Sequence, residues 1–321
     1  MQSTAANAQK SKWIGYLCAI GAQVWWGCFS IYIDLLSDDV QSFELVGHRA
    51  LWSFVCLFGL AIACGNKSVC GSRSICGNRS IPGVSNAGEL KRIATQSGVV
   101  KSCAIAALLV AINWVTFVWA VSNGHALDAS LGYYICPQVV VLLAVIFLGE
   151  RLRPLQWIAV IVAACGVVYM TQSKVGALWI SLVVAVSFGF YGFAKKKTSL
   201  TAFDGLTIET GIMFVPALVF LVFRASSGVA CFASTWWQNG LIIGIGIATI
   251  VPLLLYAEAM KRIPMSTVGV LQFIGPTIQF VIGVFYFREQ LDFSRVVGFV
   301  IVWIGVVLFL LARPRQVAKT G

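Results

Sequence analysis

Charge is scarce in this chain, and negative charge most of all. Only 11% of the 321 residues are charged, 12 are Asp or Glu, and His48 and His125 are the only histidines. A soluble domain carries roughly 25% charged residues, so the scarcity excludes an ordinary water-soluble globule. There is no HExxH, no aspartate cluster and no GxSx nucleophile with a histidine in a later helix, which removes the starting points for a membrane hydrolase. The GxxxxGK[ST] phosphate loop is missing, so ATP does not drive a process through this chain. Half-helices flanking a carbonyl-rich filter are absent too, which argues against a channel. Alternating polarity over about ten residues, the mark of barrel strands, does not occur. Nor does a cleavable apolar segment follow the polar start MQSTAANAQKSK, and no signal peptide is expected.

Cysteine is present but unpatterned. Six of the ten lie in apolar runs, where the thiol acts as a small hydrophobe. Cys64, Cys70 and Cys76 recur every six residues without a CxxC pair or a nearby histidine. No metal site and no cofactor are expected.

What is plentiful is hydrocarbon. The chain is 59% hydrophobic, with a mean hydropathy of +0.88, and runs long enough to cross a bilayer recur throughout. In lipid each span must satisfy its own backbone, so the spans are helices. Ten are expected, at 13–35, 43–64, 102–121, 126–148, 154–171, 177–194, 206–223, 239–257, 266–286 and 296–312. Residues 1–12 and 313–321 read as cytoplasmic tails, and 65–101 as a flexible cytoplasmic loop.

The net charge of +11 suggests nucleic acid until the charges are placed. With the N-terminus inside, eighteen of the 23 Lys and Arg fall in cytoplasmic segments and four outside, Lys174, Arg224, Arg288 and Arg295. Arg49 stays within a span. That asymmetry is a topology signal, puts both termini in the cytoplasm, and gives no reason to expect a nucleic-acid partner.

The halves 13–171 and 177–312 resemble each other. Asp39, Ser42 and Glu44 match Asp204, Thr207 and Glu209 at one offset. Pro137, Glu150 and Leu152 match Pro276, Glu289 and Leu291 at another. Five spans per half force the second half to run inverted. The expected fold class is therefore an all-α integral membrane protein of ten transmembrane helices in two inverted five-helix repeats. Such repeats characterise secondary transporters that bind substrate near mid-membrane.

Candidate residues follow from depth. Asn113, Trp114, Tyr133, Tyr134, Gln138, Gln272, Thr277 and Gln279 are polar or aromatic groups expected at mid-membrane along a substrate pathway. Pro137 and Pro276 are expected to kink their helices. Glu44, His48 and Arg49 lie near the outer end of the second span. With Asp34, His125 and Asp128 they form an expected outer gate or proton relay, with Arg49 ion-paired to Glu44 or Asp34. Glu209, Glu258 and Lys261 are the expected inner gate; the Lys195–Lys197 run lies on the same side as part of that polar set, and reads first as a positive-inside stop.

Several segments also resemble a known family. They are EXXXHRALWS from Glu44, NWVTFVWAVSNGHALDASLGYYICP (113–137), FLGERLRPLQW (147–157), SFGFYGFAKKK (187–197), TIETGIMFVP (207–216) and VPLLLYAEAMKRIPMSTVGVLQFIGPTIQF (251–280). These are similar to the EamA type of the drug/metabolite transporter superfamily, and within it to the RarD-type branch. The resemblance implies an inner-membrane permease for a small metabolite or drug-like molecule. Ser30, Asp34 and Cys136 depart from that branch, which has Pro, Lys and Asn there. The expected partners are a small-molecule substrate and the bilayer. Proton coupling, uncoupled exchange, a homodimer, and a nucleotide-sugar or lipid-linked substrate stay open at this point.

Overall fold

The computed structural model describes residues 2–36, 41–65, 84–171, 178–228, 232, 235–288 and 293–312. The described residues form twelve helices and no strand. In chain order these are α1 (Gln2–Asp34), α2 (Ser42–Gly65), α3 (Ala87–Ala94), α4 (Ser97–Ser122), α5 (Ala126–Leu148) and α6 (Pro154–Thr171). The second half contributes α7 (Leu178–Lys197), α8 (Ala202–Ser226), α9 (Trp236–Arg262), α10 (Met265–Leu271), α11 (Ile274–Phe285) and α12 (Phe293–Leu311). Eight segments are long and apolar enough to cross a membrane, counting α10 and α11 as one; the apolar stretches Pro154–Met170 and Val296–Leu311 are shorter.

Packing follows the logic of lipid more than that of water. Small residues line the contacts, among them Ala19, Ala22, Ala106, Ala107, Ala144 and Ala163, all buried. Large side chains such as Ile146, Val219, Phe223 and Leu311 stay exposed on the outside. Lipid tails are as apolar as leucine, so helices associate through close packing of small residues instead of hiding large ones. The α6–α12 pair shows this best. A Cβ on Gly166 would lie 2.9 Å from the Gly298 carbonyl, and one on Gly305 2.6 Å from the Ala159 carbonyl.

Helix ends are set by local chemistry. Gly149, at φ 66°, closes α5 in the left-handed region that favours glycine. Pro154 then opens α6, where its missing N–H is not needed. Between them Glu150 accepts from the Met265 and Ser266 amides (2.7 and 3.1 Å) and from Ser266 Oγ (2.5 Å), so it caps α10 from the other half of the chain.

Helix boundaries depart from the sequence expectation in several places. Residues 2–12, read as a tail, continue α1. The segment 65–101 is not all loop. Asn86 accepts from the Glu89 amide at 2.9 Å and starts α3, whose Leu90 is buried in the core, and α4 begins at Ser97. Leu90 and Ile93 give α3 an amphipathic face, but over only eight residues, too short a stretch to stand out within a polar segment. Residues 66–83, with Cys70 and Cys76, lie outside the described residues, as do Asp39, Glu289, Leu291 and 313–321. Finally, α5 stays helical through Pro137, whereas the span holding Pro276 has a break in its regular i→i+4 pattern at Gln272–Phe273, between α10 and α11. Gln272 and Phe273 keep right-handed helical dihedrals, and the Gln272 carbonyl, which Pro276 cannot bond, accepts instead from the Gly275 amide at 3.3 Å. The span therefore continues through one tightened turn, the local distortion expected of a proline within it.

Candidate functional site

A cavity of about 360 Å³ lies inside the bundle, lined from α1, α2, α4, α5, α7, α9 and the α10–α11 junction. Its α1 wall is one helical face: Gln23, Trp26, Ser30 and Ile33, at spacings of three and four, with Phe29 beside them. Asn113, Trp114, Phe117 and Val121 repeat the pattern on α4. Polar residues on such a stripe in an apolar helix are the signal that would have marked α1 as pathway from sequence.

The cavity is asymmetric along the bundle. At one end its lining reaches Ile33, Leu45 and Val121, all within a turn of their helix ends. Toward the other it stops at Gln23, Phe188 and Gln272. Behind Phe188 the rings of Trp26, Tyr191 and Tyr256 close together: Trp26 meets Phe188 at 5.5 Å and Tyr256 at 5.6 Å, and Phe188 meets Tyr256 at 5.3 Å. Tyr191 and Tyr256 are wholly buried. One turn beyond Tyr191 on α7, Lys195 Nζ donates to both Glu209 oxygens at 2.6 Å, with Tyr191 OH 3.4 Å from Oε2. Lys195 is 2% exposed and Glu209 3%. A buried pair of this kind holds only while both charges are present.

The opposite end carries its own ion pair. Arg224 Nε on α8 donates to Glu44 Oε1 at 2.6 Å, and Nη2 to Gln41 Oε1 at 2.6 Å. Glu44 is fully buried.

Arg49 is placed differently from the expectation. Its Nε donates to Thr249 Oγ1 at 3.2 Å, and its Cζ stands 4.1 Å from the Trp114 ring centre and 5.2 Å from that of Phe29. The expected Arg49–Glu44 pair does not form because the two residues lie about 140° apart around the helix. Glu44 faces α8, and Arg49 faces the cavity, α4 and α9. Asp34, the other expected partner, accepts from Tyr286 OH at 3.4 Å.

The remaining candidates divide cleanly. Asn113, Trp114, Tyr133, Gln272, Pro276 and Gln279 line the cavity. Tyr133 OH donates to Asn113 Oδ1 at 3.2 Å, and Asn113 Nδ2 to the Val184 carbonyl at 2.9 Å, which locks this wall. Gln272 Nε2 donates to Tyr256 OH at 3.3 Å, while Oε1, though buried, has no partner. Gln279 Nε2 donates to the Trp26 carbonyl at 3.3 Å. Tyr134, Gln138, Pro137 and Thr277 fall outside it: Tyr134 packs edge-on to Phe299, Gln138 borders a small void near α6 and α12, and Thr277 Oγ1 accepts from Trp303 Nε1 at 3.0 Å. Tyr134, Gln138 and Thr277 face α12 and Pro137 faces α10, sides that single-residue depth does not reveal.

His48 packs against Phe232, ring centres 5.1 Å apart, away from the cavity. His125 Nδ1 and Asp128 Oδ2 meet at 3.0 Å at the α4–α5 turn, but do not join Arg49. Glu258 pairs with Arg262 and not with Lys261. Sequence reasoning missed Lys195 and Arg224 as charge partners because both fitted the topology count without remainder. It also missed Trp26, Phe29, Phe188, Tyr256 and Thr249.

Comparison with known proteins agrees with this architecture. The EamA-like transporter family model matches the chain twice, over residues 13–172 and 174–311. Protein RarD of Escherichia coli is 35% identical over 298 residues, covering 92% of this chain and 94% of its own. Protein RarD of Streptomyces exfoliatus is 32% identical, covering 95% and 89%, and an uncharacterized transporter of Vibrio cholerae 36%, covering 92% and 91%. A crystal structure only 16% identical superimposes over 95% of this chain and 99% of its own, with a TM-score of 0.68, and so shares the fold. The chain belongs to the EamA-like transporter family, and is a RarD-type, multi-pass permease of the inner membrane in the drug/metabolite transporter superfamily.

Proposed function

We propose that this permease is a secondary carrier working by alternating access, with the cavity as its substrate site and the structure in an outward-facing form. The observation that carries the reading is the cavity's asymmetry. It reaches the Arg224 end, and at the Lys195 end four aromatic rings and a buried ion pair stand in its way. The Lys and Arg count makes the Lys195 end cytoplasmic. The two family matches support a division into two repeats. Ten spans then follow if the shorter α6 and α12 cross as well. An odd number of spans per repeat inverts the second against the first, with both termini cytoplasmic.

In this cycle the Glu44–Arg224 and Lys195–Glu209 pairs lie at opposite mouths, and the inner pair parts when the cavity turns inward. The test needs no known substrate. In a cysteine-free background, Val118→Cys reports the cavity and Met260→Cys the buried inner layer. Labelling Val118→Cys from outside with a charged thiol reagent is expected to protect Met260→Cys from a reagent inside the vesicle. Simultaneous, independent labelling of both sites would mean a continuous pore and would sink the carrier reading.

A further inference from the structure

The cavity's chemistry narrows what it takes. Arg49 is the only charged side chain among its described lining residues, and no Asp or Glu lines it. The guanidinium is held from two sides: Nε by Thr249, and its plane by Trp114 with Phe29 nearby. Among the described residues, its terminal nitrogens take up no hydrogen bond or ion pair. A cation inside a membrane protein without a counter-charge costs several kcal/mol, so a site keeps one where a ligand supplies the opposite charge. Ring faces lower part of that cost but leave the in-plane N–H groups pointing to an acceptor.

The α10–α11 turn adds a neutral part of the wall, through Gly275 and Pro276. Close to it, Gln272 is 5% exposed and lines the same cavity, and its amide oxygen lacks a partner. The acceptors along this wall, on Gln23, Ser30, Gln272 and Gln279 among others, are neutral amides and hydroxyls, not the carboxylate that an ammonium would need in so apolar a chamber. The rest of the wall is mostly apolar and includes the rings of Trp26, Phe29, Phe117, Tyr133 and Phe188. At about 360 Å³ the chamber is at the small end for ligand sites, which suits a body of one or two rings.

From this we infer that the permease carries small organic monoanions, a carboxylate or similar acid group on an aromatic body, with the anion on Arg49 and the ring among Trp26, Phe29 and Phe117. This rests on the cavity being the substrate site, as proposed above. It goes further by excluding amines and zwitterions as preferred cargo.

Binding decides it independently of transport. Calorimetric titration of the detergent-purified full chain with 3-phenylpropanoate, its amide, 3-phenylpropylamine and phenylalanine compares one body with four charge states. Indole and naphthalene carboxylates extend the set. At least one carboxylate is expected to bind about tenfold or more tighter than its matched amide, with the amine and the zwitterion weaker still. Arg49→Gln is expected to erase that preference by lowering carboxylate affinity about 10- to 100-fold while leaving the amide unchanged. Arg49→Lys keeps the charge without the fork and falls between. Size-exclusion profiles show whether the variants fold, and the wild-type series decides the question even if they do not. Equal or tighter binding of amide, amine or zwitterion overturns the assignment, as does failure of every carboxylate to bind at millimolar concentration. The cysteine-labelling result is independent of all of these, so a carrier with a different cargo is distinguishable from no carrier at all.

Discussion

At the scale of the residue, Arg49 shows how far sequence takes the argument and where it stops. An arginine inside an apolar run announces a role, and the depth along α2 is correct from counting alone. Its partner is not legible, because helical phase says only that Arg49 and Glu44 face apart, not what stands opposite each. Thr249, 200 positions away, has no feature that distinguishes it in sequence from a packing threonine. Removing its hydroxyl with Thr249→Val keeps the shape and frees Arg49 Nε. Carboxylate affinity is expected to fall about three- to tenfold, with the amide unaffected. Calorimetry on the same matched pair reads this, and loss of both ligands equally would assign Thr249 to packing instead.

At the scale of the element, sequence located nearly every long helix, since an apolar run of 20 or more residues leaves no alternative in lipid. It did not distinguish the two prolines. Pro137 and Pro276 match at one offset in the sequence, yet one lies in a regular helix and the other follows the irregular turn between α10 and α11. Proline alone does not choose between these outcomes. Residue 269 helps explain the difference: a Cβ on Gly269 would lie 2.9 Å from Val140 and 3.1 Å from the Pro137 carbonyl, so α10 is pressed against α5 just before the break. Pro276→Ala returns an amide capable of bonding the Gln272 carbonyl and removes the ring that crowds it. The variant is expected to regularise the turn between α10 and α11, raise the melting temperature by a few degrees, and weaken carboxylate binding as Gln272 and Gly275 shift in the cavity wall. A variant that melts higher but binds as before would separate the break from the site.

At the scale of the whole molecule, the end proposed above to be closed and inward rests on a pair that sequence divided between two explanations. Glu209 stood out through its match to Glu44, whereas Lys195 vanished into a run of three lysines. Only the fold shows that Lys195 turns inward, 2% exposed. Lys195→Met leaves the Glu209 carboxylate buried without its cation and is expected to destabilise the protein by about 3–5 kcal/mol. Adding Glu209→Gln to it removes the stranded charge and is expected to restore most of the melting temperature. The double variant lacks the charge that holds the inner mouth shut, so labelling of Met260→Cys from inside should rise. An unchanged labelling rate would assign the closure to the four rings alone.

The Glu150 cap bears on which parts travel together. It ties α10, in the second half of the chain, to the turn after α5 in the first, and Gly269 packs α10 onto α5 along the same line. Beyond the break, α11 lies against α1, where a Cβ on Gly27 would sit 2.6 Å from Ile278. One span is thus shared between two blocks, each containing helices from both halves. Under the proposed alternating access the two blocks flex about the irregular turn at Gln272–Phe273, so the moving parts cut across the two stretches that the family model matches.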